Sequence, residues 1–553
     1  MTVLARAGAA SVVAAMVLTA GCTAAPGDDA DALRVRSCET QSPLIPAAAL
    51  DECARNVLEP VTATLMTAGP DGRVEPDLAE EITSTDGGET WTVTLVEGRR
   101  FSDGTPVLAH NFVDAWNWSA SCRQGYPGAD WFADIEGYTE VNPSGTCPQA
   151  TPSASPSSSP VPSADRSGQR LQMSGLEVTS DLTFRVRLDR PIVNFDEQLV
   201  ELAYAPLPDS FWVDPARHAQ VPVGAGPYRL VENNRLRHVV QRWDGYTGPK
   251  EPASHTISFE NWNDLSLAYE DVRDGELDVS DRVPPESFGE QTWRSDFGER
   301  AAAPDGAPPM VLAELVFSDA DETFADPRRR RALSMAIDRE VITRDLLGGV
   351  HDPARGWVPP TMTGAVETCA DDCVYDRERA RRLWDDANDS LGSTPTSITV
   401  TTASELGDSY WVDELCNTWR YTLDLTCQRR EVSQSELGSG KTGVFTEGVA
   451  LMVREPGRDS MQEYLEPFQS ESPLNRGRHA SMDFDAVMRR AEATENPGDE
   501  WESAQRMLAE ELPSLPLWWM RSTAIWSPRV DVAPEDLPTN FAGTPDVLRL
   551  RRA

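Results

Sequence analysis

Lysine is nearly absent from this chain: Lys250 and Lys441 are the only two in 553 residues, so almost all the positive charge is arginine. Histidine is scarce as well, with six copies, His110, His218, His238, His255, His351 and His479. No two of them stand at metal-ligand spacing, which argues against a histidine-built zinc centre. Basic charge is short overall, 50 Lys+Arg against 89 Asp+Glu for a formal net charge of −39. Such a surface repels phosphate backbones and anionic headgroups, so nucleic acid is not an expected partner. Apolar runs long enough to span a bilayer, roughly 18 residues, are missing too, as are long internal repeats. So are catalytic signatures: there is no Gly-x-Ser-x-Gly, no His-Glu-x-x-His and no dinucleotide fingerprint. Glu436-Leu-Gly-Ser-Gly-Lys-Thr442 ends like a phosphate-binding loop, but Ser435 stands where that motif needs its first glycine, so it reads as a polar turn. With so many acids, paired carboxylates arise by chance, and a glycosidase cannot be argued from them. The expectation is a protein that is not an enzyme and holds neither cofactor nor metal.

What the chain does have begins at its N-terminus. Arg6 is the one charge in the first 21 residues, and the apolar run Ala9 to Ala20 is short and rich in Ala and Val. That is the pattern of a secretory signal peptide. Leu18-Thr19-Ala20-Gly21-Cys22 resembles the bacterial lipobox, in which the cysteine takes a diacylglyceryl group and becomes the mature N-terminus. Thr19 stands where that motif usually has leucine. Residues 22–32 are then a flexible tether, and the lipid is the only expected membrane attachment. Eight further cysteines remain, Cys38, Cys53, Cys122, Cys147, Cys369, Cys373, Cys416 and Cys427. An even number in an exported chain implies disulfides. Eight allow 105 pairings, but they fall into four close sequence pairs, so nearest-neighbour pairing is the economical expectation.

Helix and strand patterns are mixed throughout, as in an α/β or α+β protein. Trp91, Val93 and Leu95 alternate with threonines, and Leu182, Phe184, Val186 and Leu188 alternate with polar residues, each a half-buried strand of period two. Asp326 caps and Pro327 opens a helix expected to run to Leu347, ended by Gly348-Gly349. Further helices are expected over 376–387, 483–494 and 499–511. Residues 148–168 are Pro/Ser-rich and cannot pack a core, so they are expected to form a disordered surface insertion. Sixteen tryptophans include a group at Trp116, Trp118, Trp131, Trp518 and Trp519. Core packing accounts for most of them, and some can line an apolar cleft for a captured ligand.

Several phrases, in order, resemble the extracellular solute-binding proteins of family 5, the oligopeptide-, dipeptide- and nickel-binding lipoproteins of ATP-binding-cassette importers. They are Asp71-Gly-Arg-Val-Glu-Pro-Asp-Leu-Ala-Glu80, Arg100-Phe-Ser-Asp-Gly-Thr-Pro106, Val223-Gly-Ala-Gly-Pro-Tyr228, Asp274-Gly-Glu-Leu-Asp278 and the run from Asp326 to Arg339. Leu515-Pro-Leu-Trp-Trp519 resembles the strand that returns to the first lobe. The resemblance implies a periplasmic-binding-protein-like fold of two α/β lobes with a hinge and a ligand cleft between them. The first lobe would hold residues 33–310 and 512–553, with a small subdomain at 61–205, and the second would hold 311–511. Crossings would lie near 312–317 and 513–517.

The implied function is a monomeric, lipid-anchored receptor on the outer face of the cytoplasmic membrane. It would deliver an oligopeptide-like solute to a permease with its ATPase subunits. The same receptor role for a glycoside, metal chelate or opine-like compound, or a sensing role without transport, would fit the same resemblance. Peptide-binding members carry a Trp-x-x-Asp-Tyr-like phrase whose acid meets the peptide amine. Here that stretch reads Val449 to Met461 without Trp or Tyr, and the acid is either Glu455 or Asp459. Arg454 and Arg458 alongside could instead meet a carboxylate. Tyr126, Trp131 and Phe132 occupy a turn-rich stretch where the family often sets an aromatic against the ligand. These seven residues are the expected ligand contacts.

Overall fold

The computed structural model describes residues 31–142, 172–302, 310–404, 409–438 and 445–553, apart from residues 41, 50, 263 and 370. The expected signal peptide, Cys22, most of the expected tether and the Pro/Ser-rich stretch 148–168 lie outside the described residues.

The alternating strands form as the sequence predicts. Thr90–Leu95 buries Trp91, Val93 and Leu95, and pairs antiparallel with Thr183–Arg187, which buries Phe184 and Val186. With Ala79–Ser84 and Leu176–Ser180 on either side, they make a four-stranded sheet. Its apolar face packs on the helix Ala109–Ser119 and a ring of aromatics around Tyr204, giving the subdomain its own core.

A second, seven-stranded sheet orders its strands as Ala301–Ala302, Ala524–Trp526, Val279–Ser280, Leu33–Ser37, Thr256–Asn261, Arg237–Arg242 and Tyr228–Asn233. Its central pair, Leu33–Ser37 with Thr256–Asn261, is parallel. The glycine phrase before Tyr228 has a steric reason. A Cβ on Gly224 would sit 2.0 Å from the Val61 carbonyl oxygen, and one on Gly226 would sit 2.6 Å from that of Pro60. The loop therefore lies flush against the end of the helix Glu52–Val61.

The third sheet runs Asp352–Pro353, Ser514–Met520, Val311–Phe317, Val449–Arg454, Ser397–Ala403 and Thr426–Val432. It carries the largest core, with helices Pro327–Met335, Arg377–Leu391, Ser409–Leu423, Met482–Glu492 and Gly498–Glu511 packed around it. Four of these match the expected helices with one difference, and Ser409–Leu423 is a helix the sequence reading did not expect. The helix expected to reach Leu347 ends at Met335, and Asp338 caps a new one by accepting from the Val341 amide. An Asp inside the pattern competes for backbone donors and restarts the chain there.

The strand Ser514–Met520 also departs from expectation. It pairs with Val311–Phe317 in the six-stranded sheet, so the first lobe regains the chain between Met520 and Ala524, beyond residue 512. The outgoing change of sheet falls between Ala302 and Val311, before the expected 312–317. Both apolar strands are centre strands of the second lobe, which explains their unbroken hydrophobic runs.

Disulfides join Cys38 to Cys53, Cys369 to Cys373 and Cys416 to Cys427, as the nearest-neighbour rule predicts. The four-residue span is possible because the Cys373 amide donates to the Cys369 carbonyl at 2.7 Å, a helical turn. Cys122 is disulfide-bonded, and its expected partner Cys147 lies outside the described residues. Among the described residues no helix is long and apolar enough to cross a membrane.

Candidate functional site

Two interlobe surfaces meet in this structure, and they differ in chemistry. One is a cleft of about 830 Å³, counted up to the surrounding solvent, lined by both lobes. Its floor is one face of the six-stranded sheet. Leu451 and Val453 come from one strand, with Glu455 immediately past its end, Val311 and Ala313 from the next, and Trp518 and Met520 from the third. Alternation along each strand sets every second residue on this face. Trp411 closes one side, its ring edge-on to Trp518 at 4.5 Å. The first lobe supplies Leu265, Asp281, Arg282, Val283 and Phe288, together with Thr544 from a turn near the C-terminus.

Most charges in the cleft are already partnered. Asp281 receives two hydrogen bonds from the buried Arg36, at 2.7 and 3.0 Å. Arg282 lies 2.7 Å from Glu52, and Arg521 lies 2.8 Å from Asp352. His351 accepts from the Arg521 amide at 3.3 Å, and burial beside Arg521 pushes its pKa down to about 3, so it is neutral. Glu455 is different. Asn540 donates to it at 3.1 Å and Thr544 hydrogen-bonds it, but no cation among the described residues lies within ion-pair distance. Its side chain keeps contact with solvent while both lobes surround it. That desolvation raises its carboxyl pKa, against the pull of Thr544 and Asn540.

The second surface joins the second lobe to the subdomain and is made of ion pairs and hydrogen bonds between them. Arg458 is 1% exposed. It lies 3.4 Å from Glu463 in its own lobe and 3.8 Å from Glu201 across the interface, and donates to the Glu197 carbonyl. Burial disfavours its charge, but Glu463, Glu201, Glu466 and Glu197 together raise its pKa. Beside it, Arg190 of the subdomain pairs with Glu492 at 2.6 Å and with Asp134 at 2.7 Å. Asn194 donates to Gln462, the Val193 amide donates to the Glu492 carbonyl at 2.8 Å, and the Asp459 amide donates to Gly72. Gln434 reaches Glu52 at the other end. Gly72 has φ +77, and a Cβ there would strike Phe541 and the Asp459 amide, so three chain segments converge on it.

The expected ligand residues therefore separate. Phe132 is fully buried in the subdomain core against Trp116 and Tyr204, and Trp131 is buried with its carbonyl accepting from the Tyr204 hydroxyl at 2.5 Å. Tyr126 packs on Trp118. None of the three lines the cleft. Arg454 turns to the opposite sheet face, paired with the fully buried Glu314 and stacked over Phe468 at 4.5 Å. Asp459 has an exposed side chain and contributes its amide to the lobe contact. Of the seven, Glu455 is the one that lines the cleft. Trp518, one of the tryptophans grouped in the sequence, does line the cleft, whereas Trp411, Phe288 and Val453 are cleft residues that the sequence reading did not single out. The alternation Leu451, Val453, Glu455 was the available signal. Among the described residues no group of three or more His, Cys, Asp and Glu side chains could hold a metal ion.

Comparison with known proteins agrees with this architecture. Residues 73–415 match the model of the bacterial extracellular solute-binding proteins, family 5. The periplasmic murein peptide-binding protein MppA of Escherichia coli is 23% identical over 520 residues, spanning 90% of this chain and 89% of its own. The structure of Haemophilus influenzae OppA in complex with RPPGFSPFR superposes with a TM-score of 0.76 at 18% identity, covering 95% of this chain and 99% of that one. An unliganded open form of MppA superposes at 0.60 with 20% identity, over 94% and 97% of the two chains. The fold is thus the two-lobed one of periplasmic peptide-binding proteins, with the lobes drawn together, and the chain belongs to the bacterial extracellular solute-binding proteins, family 5.

Proposed function

We propose that this protein is the solute receptor of an ATP-binding-cassette importer and that its cleft captures a peptide through the peptide's free amine. One observation carries the reading: in a cleft lined by both lobes, Glu455 is a carboxylate hydrogen-bonded by neutral donors and with no ion-pair partner among the described residues, the charge of Arg282 acting on it only from beyond that distance. An ammonium group fits that vacancy of charge, and its desolvated surroundings strengthen the pairing. Ligand contacts to both lobes exist only when the lobes are together, so ligand shifts the open–closed equilibrium toward closure. Relatives support the class of solute, being named for murein peptide and oligopeptide binding.

Delivery to a permease, monomeric state and attachment through an acylated Cys22 belong to the same proposal and rest on the family and the lipobox-like phrase. Calorimetric titration with trialanine and N-acetyl-trialanine tests the peptide assignment. The free amine is expected to bind and the acetylated form to lose at least tenfold. If no peptide binds while a sugar or metal chelate does, the receptor role stands and the peptide assignment fails. A Cys22→Ser variant is expected in the culture medium, and its retention on the membrane would remove the anchor from the account.

A further inference from the structure

The cleft also constrains the body of its ligand. Resting on the reading that Glu455 receives an amine, we infer that this receptor selects peptides with a large apolar side chain at one of the first two residues and ignores the terminal carboxylate. Val453 lies two residues before Glu455 on the cleft face of its strand, and Ala313 and Trp518 continue the row across the next two strands. With strands spaced roughly 4.8 Å apart, the row from Val453 to Trp518 is about 10 Å long. That is the reach of one or two residues from the amine. The walls along it are Trp411, Phe288, Leu265 and Met520.

No charge interrupts this row. Asp281, Arg282 and Arg521 border it but are held by Arg36, Glu52 and Asp352, so each charge has an opposite already beside it. His351 is neutral and its ring lies 5.3 Å from Phe288. The cleft thus offers one net negative group and an apolar trough. A polar or acidic side chain placed there would be desolvated without a partner. A terminal carboxylate would gain nothing from arginines already paired, so it must remain outside the trough, whatever the peptide's length.

The test is a set of tripeptides, X-Ala-Ala and Ala-X-Ala with X as Phe, Leu, Ala, Ser or Glu, each free, N-acetylated and C-amidated, titrated into the whole protein. Phe or Leu at one of the two positions should bind about 10- to 100-fold more tightly than Ser or Glu, with amidation changing affinity by less than about threefold. Val453→Phe, at a half-buried position, fills the trough and should erase the affinity advantage of Phe and Leu over Ala at both positions. Met520→Phe gives the same reading should Val453→Phe fail to fold. Equal affinity for all X, or a preference that survives the trough-filling variants, overturns this inference and leaves the amine reading intact. Failure of every free-amine peptide to bind overturns both.

Discussion

The two interlobe surfaces invite comparison because both place charge between the lobes, yet one closes its electrostatics internally and the other does not. Around Arg458 and Arg190 the acids of one lobe meet the cations of the other. Around Glu455 the charge is held by neutral donors and faces a cavity. A buried charge with its partner in place is a mechanical joint, whereas one supplied only with neutral hydrogen bonds can accept a charged visitor. The same residue types therefore carry different functions according to whether the protein itself completes the pair.

The largest expected effect lies at the joint. Arg458→Ala removes the cation from a site shared by Glu201, Glu463 and Glu466, and loss of one partner from a buried pair costs about 3–5 kcal/mol. Opening the lobes rehydrates those acids, so the loss should appear as an open protein more than as an unfolded one. Small-angle scattering is expected to show a larger radius of gyration without ligand, with a lowered melting temperature. Unchanged dimensions and melting would mean that the joint does not hold the lobes together.

Glu455→Gln probes the other surface. Binding of a free-amine peptide should weaken by about 10- to 100-fold, the value of a charge-assisted bond, while the ligand-free melting temperature holds or rises. Because burial raises the Glu455 carboxyl pKa, the carboxylate takes up a proton at a higher pH than usual. Peptide affinity of the wild type is therefore expected to fall as pH drops through weakly acidic values, and the Gln variant should lack that dependence. Calorimetry at pH 8 and 5.5 on both proteins separates the outcomes. Equal pH dependence in both would remove Glu455 from recognition.

The smallest effect concerns Glu466 at the joint, whose burial raises its pKa well above the ordinary value, against the pull of Arg458. A carboxyl with a raised folded-state pKa makes folding less favourable as pH rises above its unfolded value. Glu466→Gln should therefore raise the melting temperature at pH 7.5, by an amount worth about 1.4 kcal/mol per unit of pKa difference. That gain should shrink as pH falls and approach zero near about pH 3, below the unfolded-state value, where the wild-type group is protonated in both states. A gain independent of pH would show that Glu466 is not strained by its charge.

Legibility in the sequence followed the range of the interactions. Strands with period-two alternation, the cap at Asp326, and disulfides between neighbouring cysteines depend on residues close in the chain, and these were readable. The break at Asp338 was hidden because the apolar spacing runs through it. Trp131 and Phe132 looked like a ligand wall because aromatics in a turn fit either role, and only the Tyr204 side of the subdomain shows that they are core. Arg454 and Glu455 are adjacent and similar in polarity, yet strand alternation sends one to Glu314 and the other to the cleft. Arg458 has one partner nearby at Glu463, but its partners across the interface, Glu201 and Glu197, lie far off in sequence, which no local pattern marks.

The central claim is that the Glu455 surface is completed by a peptide amine from outside the chain. Native mass spectrometry of the protein purified from its own cells, followed by sequencing of whatever the cleft releases on unfolding, tests it most directly. The account predicts peptides with free N-termini and an apolar residue among their first two positions, lost from Glu455→Gln purified in parallel. Release of a sugar, a metal chelate or N-blocked peptides, equally from both proteins, would contradict it.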